Sequence, residues 1–227
     1  MTRLIVYGDI HGCYEELVKL RNLLDIRSGD IEVCVGDILT KGKDSLKTLR
    51  YIQKNNIQSV LGNHEDKLLR FIEHSQISKI NPITLDEDEQ SIINDLNSDD
   101  IQFLKNLPLF IRQESLTIVH GGLLNNQQLK NISKKDKGKL LRLRYIDQKG
   151  NFIPFGEEDE NSQFWADLYN GNEGFVIYGH QTFEEANISP NSIGIDTGCV
   201  YGNKLTAVIF NNLDHKDYSI HSIPAKL

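Results

Sequence analysis

The sequence predicts an α/β fold in which two β-sheets pack face to face with helices outside. Apolar strands alternate with helical stripes through residues 3–72, the order of a parallel sheet with right-handed crossovers. Strand patterns return between 109 and 223, so a second sheet is needed. At 227 residues the chain can bury a large core. We therefore expect one domain over 1–227, with a small helical insert at 75–107.

The amino-terminal elements follow from the spacing of apolar residues. Short apolar runs indicate buried strands, and apolar residues three and four positions apart indicate amphipathic helices. Leu17, Leu20 and Leu24 form such a helical stripe. The predicted strands are 3–7, 31–35 and 57–61, and the helices are 14–24 and the segments around 46–52 and 68–72.

The pattern loosens after residue 75. Two short helices, at about 88–94 and 99–106, are expected to form a surface insert that ends at Pro108. The charge run 134–139 reads as a solvated face, and 152–161 reads as a loop rich in Pro, Gly and acidic residues. Phe164, Trp165 and Tyr169 are expected to be core aromatics, with base stacking as the alternative. The later strands are predicted at 109–112, 116–119 and 175–178, followed by a closing antiparallel set at 193–196, 205–210 and 218–223.

Composition narrows the classes of function. A net charge of −7 argues against a general nucleic-acid or membrane-surface binder, although bound metal ions can still attract anionic substrates. The three cysteines form no CxxC pair, so a disulfide framework or thiolate zinc site is not expected. No apolar run approaches the length of a membrane span. No signal-type segment opens the chain, and we expect a cytoplasmic protein.

Metal-ligand residue types follow five predicted strands, each beside a glycine. An isolated histidine is more often a packed or surface residue, and His74, His215 and His221 are expected to be surface residues. A repeated coincidence at strand ends is different, because ligands bind beyond the carboxyl ends of strands in α/β sheets. We expect one shared metal site. Its candidate ligands are Asp9, His11, Asp37, Asn63, His120 and His180.

The ligand set indicates which metals bind and how many. Oxygen and nitrogen ligands without sulfur suit Mn, Fe or Zn better than Ca or Mg. Six protein ligands are too many for one open catalytic ion and suit two divalent ions that share a carboxylate. Two ions roughly 3.5–4 Å apart clamp both oxygens of an in-line displacement at phosphorus. They also lower the pKa of a bridging water, which is then hydroxide near neutrality.

Five motifs in order carry a resemblance to a known family. They are Gly8-Asp9-Ile10-His11-Gly12, Gly36-Asp37 with Lys41-Gly42, Gly62-Asn63-His64-Glu65, His120-Gly121-Gly122 and Gly179-His180. The chain resembles the calcineurin-like metallophosphoesterases of the phosphoprotein phosphatase superfamily from Leu4 to about Phe210. The resemblance implies a four-layer α/β/β/α sandwich with a dinuclear centre, in which Asp37 bridges the ions and His64 protonates the leaving group. The implied ligand sets are Asp9, His11 and Asp37 for one ion, and Asp37, Asn63, His120 and His180 for the other.

The second motif indicates a branch of this family. Protein Ser/Thr phosphatases carry GDxVDRG, whereas this chain has Thr40 and Lys41 in place of the second Asp and the Arg. That sequence is similar to the bacterial symmetrical diadenosine tetraphosphate hydrolases and their phosphatase-like relatives, as are the stretches 142–145 and 195–202. Those hydrolases are longer between the His-Gly motif and residues 142–145, so part of their dinucleotide pocket is expected to be absent here.

The substitution at Thr40 has a chemical meaning. A neutral threonine cannot charge and orient His64 as the second Asp does in the protein phosphatases. A serine alkoxide needs a strong proton donor, whereas a nucleoside diphosphate leaves as a stable anion. We therefore expect a preference for phosphoanhydrides. Lys41 can hold a phosphate oxygen, and Arg142 or Arg144 can form a bidentate clamp; a strand would place both arginines on one face.

The sequence thus predicts a dinuclear-metal phosphohydrolase, with Mn the expected metal and Fe or Zn as alternatives. The expected substrate is a nucleotide phosphoanhydride such as diadenosine tetraphosphate. One alternative is a phosphomonoesterase acting on protein phosphoserine or phosphothreonine, or on nucleic-acid phosphate ends. A second is a binding scaffold without catalysis, which the complete ligand set disfavours. The oligomeric state and the position of the insert relative to the site stay open.

Overall fold

The structure, a computed structural model, describes residues 2–78 and 80–226. Met1, Lys79 and Leu227, which belong to the predicted domain 1–227, lie outside the described residues. The strands are, in chain order, β1 (Arg3–Tyr7), β2 (Ile31–Cys34), β3 (Gln58–Ser59), β4 (Phe110–Gln113), β5 (Leu116–Val119), β6 (Tyr145–Ile146), β7 (Phe152–Ile153), β8 (Gln163–Phe164), β9 (Phe175–Tyr178), β10 (Asn187–Ser189), β11 (Ser192–Gly194), β12 (Lys204–Asn211) and β13 (Tyr218–Pro224). The helices are α1 (Tyr14–Leu23), α2 (Ser45–Lys54), α3 (Asn63–Ile77), α4 (Glu87–Asp95), α5 (Ser98–Lys105), α6 (Lys134–Arg142) and α7 (Trp165–Leu168).

Two mixed five-stranded sheets form the centre of the fold. The first has the order β13-β12-β1-β2-β3, with β1, β2 and β3 parallel and β12 antiparallel to β1. The second has the order β10-β11-β9-β5-β4, with β5, β9 and β11 parallel. A small sheet, β7-β6-β8, lies apart from both. The predicted α/β class with two mixed sheets is confirmed.

The alternation of side chains along β1 separates two layers of core. Leu4 and Val6 pack with residues of the second sheet, including Ile118 and Ile177, and fill the space between the sheets. Ile5 and Tyr7 point the other way and pack against the helices α1, α2 and α3. A third cluster, around Trp165, covers the outer face of the second sheet. Strand side chains alternate between faces, so this arrangement produces the expected α/β/β/α layers.

The insert contains the two expected helices, α4 and α5, but they are not wholly superficial. Each begins with a capping box, from Asp86 to Glu89 and from Asn97 to Asp100, which satisfies amide groups at its first turn. Ile92 and Leu104 are buried in the same cluster as α1, α2 and α3. These helices therefore extend the outer helical layer of the first sheet.

The predicted closing antiparallel set is wrong for its first member. β12 and β13 do form an antiparallel hairpin in the first sheet. The segment predicted at 193–196 instead forms β11 of the second sheet, parallel to β9 and antiparallel to β10. The apolar pattern predicts a strand correctly, but it does not specify which sheet the strand joins.

The charge run that was predicted to be a solvated face lies within a helix. Residues 134–142 form α6, which begins at a capping box between Ser133 and Asp136. As a result, Arg142 ends a helix and Arg144 lies just before β6, so the strand on which both would alternate does not exist. In the part of the chain that the structure describes, no helix combines the length and apolarity needed to cross a bilayer.

Candidate metal centre

The six predicted ligands come together where strands of both sheets end. Asp37 lies at the centre, with Oδ2 3.5 Å from His11 Nε2 and 3.4 Å from His120 Nε2. On the second-sheet side, Asn63 Oδ1 is 2.8 Å from His120 Nε2, and the rings of His120 and His180 are 5.1 Å apart. The strand-end pattern in the sequence therefore corresponds to one cluster in space.

Two groups of potential ligand atoms overlap at Asp37. In each group all atoms lie within 4.8 Å of one another. One group contains His11, Asp37 and His64, and the other contains Asp37, His120 and His180. A shared carboxylate is the arrangement that two bridged ions require, and its central position matches the expected role of Asp37.

Asp9 follows β1 and contacts the loop that carries His180. Its carboxylate accepts hydrogen bonds from the backbone N–H of His180, at 3.1 and 3.3 Å. His64, rather than Asp9, completes the group on the His11 side. Burial and the negative charges of Asp196 and Asp37 raise the pKa of Asp9 well above its usual value.

The imidazoles are oriented so that their Nε2 atoms face the centre. His11 Nδ1 is 2.9 Å from the Leu39 carbonyl oxygen, and His120 Nδ1 is 2.8 Å from that of Val35. A ring that donates from Nδ1 keeps its Nε2 lone pair free to bind a metal. The Nε2 of His180 is buried and has no hydrogen-bond partner. A buried polar atom without a partner is costly, so these three rings fit metal ligation.

The electrostatics of the cluster keep two of these rings neutral. Burial lowers the pKa of His11 to about 4, and burial with the charge of His120 lowers that of His180 well below its usual value. Neutral imidazole is the form that binds metal. Burial would raise the pKa of Asp37, but the charge and the hydrogen bond of His120 hold that pKa well below its ordinary range. Asp37 is therefore an anion surrounded by nitrogen ligands.

The loops that carry the ligands adopt uncommon backbone angles. His11, Asp37 and His180 have φ values of 44°, 47° and 66°, in the left-handed region that few non-glycine residues occupy. Neighbouring glycines make room for them, because a Cβ at Gly62 would collide with Asp37 Oδ1 and one at Gly179 with Asp9 Oδ1. Strain concentrated at one place is typical of functional sites.

Glu65 holds the central loop in place, and its role was not anticipated from the sequence. Its carboxylate accepts from the backbone N–H groups of Asp37 at 2.9 Å, Leu39 at 3.0 Å and Gly62 at 3.2 Å. It is fully buried, and burial raises its pKa to about 7. The spacing of Gly62 and Glu65 is that of a capping box, which was a usable signal for part of this role.

His64 stands beside the centre with Thr40 as its partner. Thr40 Oγ1 is 2.8 Å from His64 Nδ1, and His64 Nε2 is 4.0 Å from Asp37 Oδ2. The backbone N–H of His64 donates to Asp37 Oδ1 at 3.1 Å. Burial lowers the pKa of the His64 ring. Thr40 therefore occupies the place next to the ring that its position in the second motif indicated.

The three predicted phosphate-binding cations lie on two sides of the cluster. Lys41 Nζ is 3.0 Å from His11 Nε2. Arg144 Nη2 donates to the His180 carbonyl oxygen at 3.3 Å. Arg142 Nη2 is 3.3 Å from Asp66 Oδ2, a buried carboxylate that the sequence did not identify. Although the predicted strand is absent, Arg142 and Arg144 line one groove of about 610 Å³ together with Asn63 and His180.

The predicted core aromatics are in the core. Trp165 and Tyr169 are 1% and 4% exposed, and Phe164 packs against their cluster. Burial excludes base stacking by Trp165 and Tyr169, whereas Phe164 is partly buried. His74 is exposed, while His215 stacks on Phe175 at 5.6 Å and is half-buried, as is His221.

Comparisons with known proteins are consistent with this geometry. Residues 2–216 match the sequence profile of the calcineurin-like phosphoesterase family. The asymmetrical bis(5'-nucleosyl)-tetraphosphatase PrpE of Oceanobacillus iheyensis is 30% identical over 228 residues, which cover 90% of this chain and 87% of that protein. The enzyme of the same name from Bacillus subtilis is 29% identical, covering 92% of this chain and 91% of its own.

Solved structures show the same fold. A crystal structure described as a candidate diadenosine tetraphosphatase is 26% identical with a TM-score of 0.81, covering 99% of this chain and 94% of its own. A protein serine/threonine phosphatase from Saccharomyces cerevisiae has a TM-score of 0.68 at 18% identity, covering 100% of this chain and 81% of its own, and shows likeness of fold alone. The two curated relatives are named for asymmetrical cleavage, whereas the sequence motifs pointed to the symmetrical hydrolases.

Proposed function

The chain belongs to the calcineurin-like phosphoesterase family, and on that premise we propose that it hydrolyses a dinucleoside tetraphosphate, such as diadenosine tetraphosphate. The observation that carries this proposal is the pair of ligand groups that share Asp37, next to a groove containing Arg142 and Arg144. The names of the relatives suggest asymmetrical cleavage. We therefore expect AMP and ATP as products.

Two divalent ions fit the cluster. We retain the ligand sets proposed from the sequence: Asp9, His11 and Asp37 would hold one ion, and Asp37, Asn63, His120 and His180 would hold the other. The buried, unpartnered Nε2 of His180 is available for this role. The absence of sulfur favours Mn, Fe or Zn. When bound, such ions polarise a phosphoryl group and lower the pKa of water between them.

The chain's own residues would bind and orient the substrate. Arg144 lies against the His180 backbone, so its guanidinium can hold a phosphate oxygen close to the ligands. Asp66 pairs with Arg142, Arg70 and Lys137. The pairing fixes Arg142 at the wall of the groove, and because one carboxylate faces three cations, the cluster keeps a net positive charge. Lys41 supplies a third cation on the His11 side. These three cations offset part of the negative charge of a polyphosphate chain.

His64 would deliver the proton to the leaving oxygen. Burial lowers its pKa, and its partner Thr40 carries no charge, so the ring is mostly neutral at pH 7. A phosphoanhydride leaving group departs as a stable anion and needs little protonation, whereas an alkoxide needs a strong donor. This pairing supports the anhydride over the phosphomonoester as substrate.

Three further points stay predictions of the sequence. The whole chain is expected to form one domain, and the core cluster that contains Ile5 of β1 also contains Ile209 of β12 and Leu104 of the insert. Manganese is the expected metal. A cytoplasmic location is the expected one.

The test is to incubate the Mn-loaded protein with diadenosine tetraphosphate and separate the products by chromatography. AMP with ATP supports the proposal. ADP alone would keep the anhydride chemistry and move the point of attack to the symmetrical position. An intact dinucleotide, with a simple aryl phosphate hydrolysed by the same preparation, would refute the proposal and favour the phosphomonoesterase.

A further inference from the structure

Two aromatic rings are strongly exposed although both lie at the site. Phe155 is 81% exposed and Tyr201 is 65% exposed, and they are the aromatic members of the exposed large apolar side chains in the described residues. Single exposed apolar residues need no explanation. These two differ because each lines a cavity next to the candidate centre and each faces a cation.

Phe155 lines the groove that contains part of the second ligand group. This groove, of about 610 Å³, is lined by Asn63, His180, the two arginines and Phe155. The guanidinium carbon of Arg144 lies 4.9 Å from the centre of the Phe155 ring, within the range of a cation–π contact. One face of the ring is thus supported by Arg144, while the residue as a whole stays largely open to solvent.

Tyr201 has the same construction on the other side of the centre. It lines a separate cavity of about 530 Å³ with Lys41 and Gly12. Lys41 Nζ lies 5.2 Å from the centre of the Tyr201 ring and 3.0 Å from His11 Nε2. The residues that line this cavity and those that line the groove do not overlap.

The ligand cluster therefore has an exposed aromatic ring and a cation at each end. The order is Tyr201, Lys41 and His11 on one side of Asp37, and His180, Arg144 and Phe155 on the other. Both cavities fall in the size range of small-molecule sites. A ligand with anionic phosphates at its middle and a flat ring at each end would meet a cation and an aromatic face on both sides.

We propose that Phe155 and Tyr201 are platforms on which the two nucleobases of a dinucleoside polyphosphate stack, with the polyphosphate lying across the metal ligands between them. The inference deepens the proposed function and rests on it. Base stacking on aromatic side chains tolerates any base, since every base has a π-face. The site would accept dinucleotides with different bases and would select them by the number of phosphates, which sets the distance between the two bases.

The test measures binding of a diadenosine tetraphosphate analogue with methylene groups in place of its anhydride oxygens, by calorimetry with the Mn-loaded protein. Phe155→Ala and Tyr201→Ala are each expected to weaken binding about 5- to 100-fold, and the double variant should lose more than either. Phe155→Trp and Tyr201→Phe should bind as the parent does. Inorganic tripolyphosphate, which has no base, should bind all variants alike.

Ile188→Ala is the control, because Ile188 is 58% exposed and lines neither cavity. Unchanged affinity of both alanine variants for the analogue would overturn the inference, and so would equal losses for the analogue and for tripolyphosphate. Hydrolysis is scored separately. A parent that cleaves diadenosine tetraphosphate while both variants bind the analogue normally keeps the proposed function and rejects the platforms. A parent that binds the analogue through both rings but does not cleave diadenosine tetraphosphate supports the platforms and rejects the proposed function.

Discussion

The two sheets contribute different chemistry to one site. The ends of β1, β2 and β3 supply the candidate oxygen ligands Asp9, Asp37 and Asn63, together with His11 and the neighbouring His64. The ends of β5 and β9 supply only imidazoles as candidate ligands, His120 and His180. The first sheet also provides the internal support, because Glu65 at the start of α3 binds the loop of Asp37.

The second set of ligands is fixed by contacts to the first sheet. His120 Nδ1 lies 2.8 Å from the carbonyl oxygen of Val35. The backbone N–H of His180 donates to the carboxylate of Asp9. The loops after β5 and β9 are thus positioned by groups that follow β2 and β1. We call the loops after β1, β2 and β3 the frame of the site, because they hold the loops of the second sheet in position. Changes in the frame should therefore affect both candidate metal positions.

The largest effect is expected for Asp37→Asn. The amide keeps the shape but loses the charge that both ligand groups share, so the protein should hold fewer than two ions and lose nearly all phosphohydrolase activity. Metal content and hydrolysis are measured together. Asp214→Asn, in the exposed turn between β12 and β13, is the matched control and should change neither. A fully active Asp37→Asn would disprove the site.

A smaller but still strong effect is expected for Glu65→Gln. The amide would place an N–H donor against backbone N–H donors, so the Asp37 loop should loosen and metal affinity should fall roughly 10- to 100-fold. Calorimetric titration with Mn²⁺ measures this loss. Glu73→Gln lies on the exposed side of the same helix and should bind metal as the parent does. A loss confined to one ion would show that the frame does not serve both positions.

Thr40→Asp should change substrate preference more than total activity. A carboxylate beside His64 Nδ1 favours the protonated ring, which helps an alkoxide leave, so the ratio of phosphoserine-peptide to dinucleotide hydrolysis should rise at least about tenfold. Thr40 has φ 74°, where Asp and Asn are better tolerated than a β-branched residue. Thr40→Asn therefore relieves the backbone equally without the charge, and its ratio should stay near that of the parent. If Thr40→Asp and Thr40→Asn had the same ratio of phosphoserine-peptide to dinucleotide hydrolysis, the charge beside His64 would not control substrate preference.

The smallest effect on activity, and a clear one on stability, is expected for Asp30→Asn. Asp30 pairs with Arg3, with Nε at 3.0 Å from Oδ1, and that hydrogen bond lowers its pKa. Because the folded pKa is below the unfolded value, the stabilisation is complete above about pH 4 and disappears as pH falls through the folded pKa. We expect a loss of about 1–2 kcal/mol at pH 7 by urea unfolding, shrinking below pH 4, with hydrolysis unchanged.

The control for this pair is Asp25→Asn. The Asp25 side chain is 83% exposed and lies 3.6 Å from Arg27, so solvent screening should keep its contribution within about 0.5 kcal/mol. If Asp25→Asn and Asp30→Asn lowered the free energy of unfolding equally, burial would not make the Asp30 ion pair more stabilising than the Asp25 ion pair. A loss of activity in Asp30→Asn would show that the link between β1 and β2 belongs to the frame of the site.

The first half of the fold is predictable because its pattern is local. Each strand, loop and helix from Arg3 to Ile77 is adjacent in sequence, and the parallel order forces the strand ends to one edge. The cluster of candidate ligands could therefore be predicted before any coordinates. The short length of β3 could not, because the apolar run 57–61 continues beyond the paired residues Gln58 and Ser59.

The second half is less predictable because it depends on distant partners. The two-residue strands β6, β7 and β8 carry no periodic pattern. The segment that forms α6 is highly charged, contains Gly138 and has few apolar positions. Its pattern therefore does not predict a helix. Glu65 could not be assigned its role, because the backbone groups of Asp37 and Leu39 that it binds lie 28 and 26 positions away. The role inferred for Phe155 depends on Arg144, which contacts its ring, and on the groove that both residues share with His180.

Electron paramagnetic resonance of the Mn-loaded protein tests most directly whether Asp37 joins two metal positions. Two ions bridged by one carboxylate are exchange-coupled, and we expect their spectrum at a content of two Mn per chain. Asp37→Asn should remove the coupling. A parent that binds two Mn ions with the spectrum of isolated ions, or that binds one ion at saturation, would contradict the shared carboxylate.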